Sequence, residues 1–340
     1  KIVWTKLYTW IFYHIDGWNL RHQIITNFFL FLTSLGLLYK VIPDKNSLLP
    51  LFFIPCLADV NFENQLTGFQ SQFYFMLIFA FIAIYFGFVK QKNLRNTILF
   101  SIFTVCSMFS MTFAAGIGLL IAFIIKERKL NKYSLTAFLI IAAGILLFFA
   151  NYGQLTEQMP LMLPDNLVFW TKYFKSIFVG VLNICFSNRI SVMAGAFISV
   201  IAVYLFIKEK NNSDFYIYLA LFSLSLCLIG AIGCGRFSDE NILYVSSRHL
   251  LVINFLIPCI AALFYRYKQY KLCLLYLIIL FCGFMNAFSY ERYICIKEDR
   301  QRDKFVLSIM LDKNKDNVII PELYPSNLTS YIKRGKLLNI

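Results

Sequence analysis

Long apolar runs separated by short clusters of lysine and arginine, one cluster after about every second run, constrain this chain more than any other feature. Runs of about 18 or more apolar residues match the hydrocarbon thickness of a bilayer. The clusters are Lys90, Lys92 and Arg95; Lys126, Arg128, Lys129 and Lys132; Lys208 and Lys210; and Arg266, Lys268 and Lys271. Positive charge on alternate connections marks the helix ends held in the cytoplasm. With 59% hydrophobic and 15% charged residues, the chain cannot cover a water-soluble surface, which takes about 25% charged residues. The formal charge of +14 is explained by this positive-inside bias, so no nucleic-acid partner is expected.

The runs give an all-α, polytopic membrane protein of about ten helices. Residues 1–22 carry Trp4, Trp10, Trp18, Tyr8 and Tyr13 among polar residues and read as an amphipathic segment in the interface plane. Residues 23–289 form the transmembrane domain, with spans expected at 23–39, 73–89, 135–150, 190–207, 215–232, 250–265 and 272–288. Residues 47–59, with Pro50 and Pro55, read as a broken span. Residues 97–125 read as a tight helical hairpin with its tip near Met111. Residues 290–340 form an extramembrane tail containing a short apolar patch and a PELYP turn signal.

Placing every basic cluster in the cytoplasm makes the spans alternate only if residues 169–187 do not cross. Lys172 and Lys175 in that stretch allow a re-entrant or surface-lying segment. The N-terminus, the loops near Glu63, Asp165 and Arg236, and the tail then share the outer side. The basic residues just after the last span, Arg292, Lys297, Arg300 and Arg302, argue for the opposite arrangement. Charge in short loops sets topology more strongly than charge in long segments. The chain starts at Lys1 with no initiator Met and no signal-peptide pattern, which reads as a chain lacking an upstream segment.

Six of the nine cysteines lie inside apolar runs, where they act as small hydrophobes. His14, His22 and His249 show no ligand spacing, so no metal site is expected. The candidate chemistry is the polar residues of the outer side. One loop brings Asp59, Glu63, Asn64, Gln65, Gln70 and Gln72; another brings Arg236, Asp239, Glu240, Arg248 and His249. Arginine's planar fork suits a phosphate, so Arg236 and Arg248 are candidates to hold a lipid phosphate, with His249 beside them. The competing reading for both arginines is snorkelling to headgroups. Arg236 follows GAIGCG, whose glycines are expected to let other backbones approach closely. The amides of Gln70 and Gln72 suit sugar hydroxyls, and suit helix capping equally.

Three places carry a resemblance to bacterial polytopic glycosyltransferases of the GT-C architecture. They are FENQLTGFQSQFYF at 62–75, GRF at 235–237 with SSRHL at 246–250, and ELYP at 322–325. The position of His249 is more often tyrosine in that group. The resemblance implies a bacterial inner-membrane enzyme in cell-envelope polysaccharide biosynthesis. Its donor would be a sugar linked to a polyprenyl phosphate, used at the non-cytoplasmic face. Its acceptor would be a glycan, a lipid or a protein. It implies a catalytic carboxylate upstream of Lys1, with Asp59 and Glu63 as substitutes within this chain. No cofactor is implied, and a divalent metal would find no ligand set in the sequence. An O-antigen polymerase or ligase, and a lipid or glycan transporter without chemistry, are the alternatives.

Overall fold

The computed structural model describes residues 3–16, 20–45, 48–57, 71–150, 164–183, 189–237 and 247–285. Asp59, Glu63, Asn64, Gln65, Gln70, Asp239, Glu240 and the whole tail from 286, including ELYP, lie outside the described residues. The elements in order are α1 (Val3–Asp16), α2 (Leu20–Val41), a 3-10 turn (Leu49–Phe52), α3 (Ile54–Leu57), α4 (Ser71–Ile84), α5 (Leu94–Met108), α6 (Ala114–Glu127), α7 (Lys132–Ala150), α8 (Leu167–Gly180), α9 (Arg189–Lys208), α10 (Phe215–Arg236), α11 (Ser247–Asn254) and α12 (Leu256–Arg266). A last apolar helix, α13 (Tyr270–Met285), follows. No strand occurs among the described residues.

Among the described residues six helices are long and apolar enough to cross a bilayer: His22–Val41, Ser71–Val89, Lys132–Ala150, Arg189–Asn211, Phe215–Arg236 and His249–Arg266. The chain is an integral membrane protein. The expectation of about ten spans is met only in part, for a reason of length. At 15 and 14 residues, the arms α5 and α6 reach about 21–23 Å at 1.5 Å per residue, short of a hydrocarbon core about 30 Å thick. They are joined by a turn at Phe109–Phe113, where Ser110 N donates to Ser107 O (3.1 Å) and Met111 N to Met108 O (3.3 Å). The stretch with Pro50 and Pro55 gives only the 3-10 turn and α3.

The spans differ in where they sit. In His22–Val41 and Arg189–Asn211 only 28% and 22% of the apolar window is buried, against 89% in His249–Arg266. The last is the central helix, packed against α4, α8, α9, α10 and the 3-10 turn. Outward-facing Ile190, Met193, Leu146 and Phe197 are each more than half exposed. Such an apolar coat suits lipid and would be an aggregation surface in water.

Gly118 of α6 would place a Cβ 2.7 Å from the Ser223 carbonyl oxygen of α10, and Gly195 of α9 would drive one into the Phe178 carbonyl oxygen of α8. These two glycines allow helix backbones to touch, the small-residue packing available in a membrane. The GAIGCG glycines do something else, which corrects the sequence expectation. A Cβ on Gly233 would meet the ring of Phe237 in the next turn (2.5 Å), a Cβ on Gly230 would only graze Tyr173, and Gly235 faces open space. Gly233 makes room for Phe237 to fold back; it does not dock another backbone.

The central helix is not continuous. Pro258 has no N–H to return to the Asn254 carbonyl four residues earlier, so the helix breaks between α11 and α12. Cys56 Sγ donates to the Asn254 carbonyl that Pro258 leaves without its helical partner (3.3 Å), and Ser225 Oγ donates nearby to Val252 O (2.7 Å). The expected span at 250–265 is met by His249–Arg266, with a local break at Phe255 that is bonded from the side.

All the short loop clusters of lysine and arginine meet at one end of the bundle. Lys92 pairs with Glu127, Lys126 Nζ donates to Gly87 O (2.5 Å), Arg128 Nε to Tyr216 Oη (2.9 Å), and Lys40 and Lys90 lie over the Tyr85 ring. Arg266 gathers Asp44, Glu209 and Asp214 there.

Candidate functional site

The opposite end is built by the first turns of α4, α8 and α11 and the last turn of α10. Asn166 begins α8, its Oδ1 accepting from Phe169 N (2.8 Å), a local side-chain cap of the kind asparagine supplies. From this start the helix buries Phe169, Lys172, Ser176, Val179 and Gly180, a stripe at helical spacing. Phe169 meets Phe237 edge-on, with ring centroids 5.4 Å apart. Lys172, only 8% exposed, donates from Nζ to the Phe237 carbonyl at 2.9 Å. On the other flank His249, buried in the first turn of α11, stands edge-on to Phe73 of α4 at 5.6 Å.

Three of the segments singled out in the sequence therefore share one end: QFYF through Phe73, GRF through Phe237, and SSRHL through His249. Arg236 ends α10 with an exposed side chain, where the negative end of the helix dipole favours a cation. Gln72 lies in the first turn of α4, half-buried. Arg248 lies in the first turn of α11, and its side chain is outside the described residues, as are Asp59, Glu63 and Gln70. Asp165 is exposed in the turn before α8.

Lys172 is the residue whose place in the site sequence reasoning passed over, taking it only as allowing a re-entrant or surface-lying segment. Its signal was present: positions 169, 172, 176 and 179 fall on one face, so a lysine within an otherwise apolar and small-residue stripe was legible. A buried ammonium in a membrane protein is costly and marks a place where charge is used.

α8 ends among buried side chains. Its last carbonyls are taken up in the turn: Val181 N donates to Ile177 O (2.9 Å), Leu182 N to Val179 O (3.2 Å) and Asn183 N to Gly180 O (3.0 Å). Tyr276 Oη of α13 donates to Val181 O at 2.6 Å. Asn183, in the left-handed region at φ 49°, pairs its amide with that of Asn254 at 2.8 Å. Both asparagines are buried. α8 and α11 thus start at the same end and stop beside each other, where the central helix breaks.

This end also holds α1. Trp4 Nε1 donates to Cys106 O (3.0 Å), Ser71 Oγ to Thr5 Oγ1 (3.1 Å) and Tyr8 Oη to Gln23 O (3.1 Å). Its other face leaves Trp10, Tyr13 and Ile15 largely exposed. Among the described residues no group of three His, Cys, Asp or Glu side chains is placed to hold a metal ion. Chemically the described site offers cationic and amide groups with aromatic walls, suited to a phosphate and to sugar hydroxyls. No family model, no curated protein and no solved structure matches this chain.

Proposed function

We propose that this protein is a glycosyltransferase-like membrane protein that takes a polyprenyl-phosphate-linked sugar at the non-cytoplasmic face, in cell-envelope glycan synthesis or modification. The observation that carries the reading is a pair of contacts at the end opposite the basic clusters: Phe73 with His249, and Phe237 with Phe169 and buried Lys172. Positive-inside bias assigns the basic end to the cytoplasm, of a bacterial inner membrane on the resemblance, and so assigns this end to the outer side. α8 is then a re-entrant helix that enters from outside and stops at Asn183. Lys172 and Arg236, with Arg248, stabilise the charge on the departing lipid phosphate. Gln70 and Gln72 orient the sugar. A carboxylate, with Asp59 and Glu63 the candidates in this chain, deprotonates the acceptor hydroxyl.

The test uses the complete protein in native membranes and a photoreactive polyprenyl phosphate. Crosslinks are expected on α8 and the end of α10, and are lost with Lys172→Gln plus Arg236→Gln. Crosslinking that maps elsewhere, or persists unchanged in that double variant, overturns the site. A second reading, a lipid or glycan transporter without chemistry, is favoured by one observation. α8 and α11, at 14 and 8 residues, are too short to cross a bilayer and stop together at the Asn183–Asn254 pair, and broken helices of this kind line transport sites. Release of free polyprenyl phosphate from the sugar-linked donor separates the two, since only a transferase produces it.

A further inference from the structure

We propose that the basic end carries a binding site for one anionic phospholipid, independent of the glycosyltransferase reading. A groove of about 150 Å³ runs between the 3-10 turn, α12 and the start of α13. Its floor is Leu49, Phe52, Ala261 and Cys273, all buried, and its mouth is formed by Leu48, Leu51, Tyr270 and Leu274, each at least 41% exposed. The groove has a physical origin. The 3-10 turn and α3 are too short to span, so α12 and α13 keep an uncovered apolar strip at hydrocarbon depth. From Tyr270 to Leu277 that strip extends about 10 Å along α13, within a single leaflet. A lipid acyl chain is the apolar group always available there.

The choice of headgroup follows from charge. The groove opens at the turn between α12 and α13, where Lys268 and Lys271 are exposed. Lys45, also exposed, stands just before the segment that supplies Leu48. Within residues 44–45, 208–214 and 266–271 there are six cations and three carboxylates. The carboxylates Asp44, Glu209 and Asp214 are all engaged by Arg266, and Lys208 lies over the rings of Tyr204 and Tyr267. Lys45 likewise lies over the Tyr39 ring, so Lys268 and Lys271 are the groups that meet a headgroup. Basic pockets between membrane helices recognise anionic headgroups in this way. Tyr265 and Tyr270, with ring centroids 5.3 Å apart, sit at the interfacial level that tyrosine favours.

The experiment is native mass spectrometry of the purified full chain in detergent, titrated with dioleoyl phosphatidylglycerol or dioleoyl phosphatidylcholine. One phosphatidylglycerol is expected to be retained in preference to phosphatidylcholine. Lys268→Gln with Lys271→Gln should weaken that retention about thirtyfold, at about 1 kcal/mol for each lysine near the headgroup. Leu274→Trp, a change at a residue 60% exposed, should close the mouth and abolish retention without altering helicity. Equal retention of both lipids, a bound lipid indifferent to Leu274→Trp, or a dimer that buries the groove in place of lipid would each overturn the proposal.

Discussion

Replacing Arg266 by glutamine removes the single guanidinium that serves three carboxylates. Arg266 Nη1 lies 2.8 Å from Asp214 Oδ2 and 3.2 Å from Asp44 Oδ2, and its Nε lies 3.1 Å from Glu209 Oε1. The Asp44 and Asp214 side chains are 30% and 32% exposed, so water screens them and each pair contributes about 0–1 kcal/mol. Glu209 is different. Its side chain is 3% exposed and its Oε2 has no hydrogen-bond partner, so loss of the arginine leaves a buried carboxylate without a counter-ion. Breaking a buried pair from one side costs roughly 3–5 kcal/mol, and the Glu209 contact therefore dominates the expected loss. Equilibrium unfolding of the purified chain in mixed micelles measures it. Adding Glu209→Gln to Arg266→Gln removes the stranded charge and should recover about 2 kcal/mol, a coupling of the size found between contacting residues. Arg266→Lys keeps the charge but not the fork and should fall between. An Arg266→Gln variant within about 0.5 kcal/mol of the parent, the range of inert surface changes, would refute the reasoning. So would a double variant that is no more stable than Arg266→Gln alone.

Gly118→Val should destabilise by about 1–3 kcal/mol by pushing α6 off α10, whereas Gly36→Ala, with open space around it, should be neutral or slightly stabilising; the same unfolding assay compares them. Cys56→Ala should cost about 0.5–1.5 kcal/mol in the parent and less in a Pro258→Ala background, where an N–H returns to the Asn254 carbonyl. Single cysteines placed at Asp165 and Arg236 should react with an impermeant maleimide from one side of sealed vesicles, and cysteines at Lys129 and Lys268 from the other. Labelling of Asp165 and Lys129 from the same side would remove the arrangement of ends described above.

Much of the architecture was legible in one dimension. The hairpin tip near Met111 was legible because Ser107, Ser110 and Thr112 interrupt an apolar run too long for one helix and too short for two full spans. The broken segment was legible in Pro50 and Pro55. The break at Phe255 was not recognised, although Pro258 announces it, because the surrounding residues are uniformly apolar and hydropathy is blind to a missing N–H. The glycines were misassigned for a related reason: a composition such as GAIGCG permits close approach, but only the neighbour's position decides whether a backbone or a ring fills the gap.

For the site, the sequence supplied Arg236, His249 and Gln72 as polar residues beside apolar runs, and it overlooked Lys172. Run length and loop charge are additive properties of local sequence, which is why they alone determined that this chain enters a membrane and groups its short-loop lysines and arginines at one end. Which residues face each other depends on helix rotation and depth, set by packing between segments distant in the chain. Only the tertiary structure could decide that Lys172 reaches the Phe237 carbonyl, that His249 stands against Phe73, and that α8 stops at Asn183 beside Asn254.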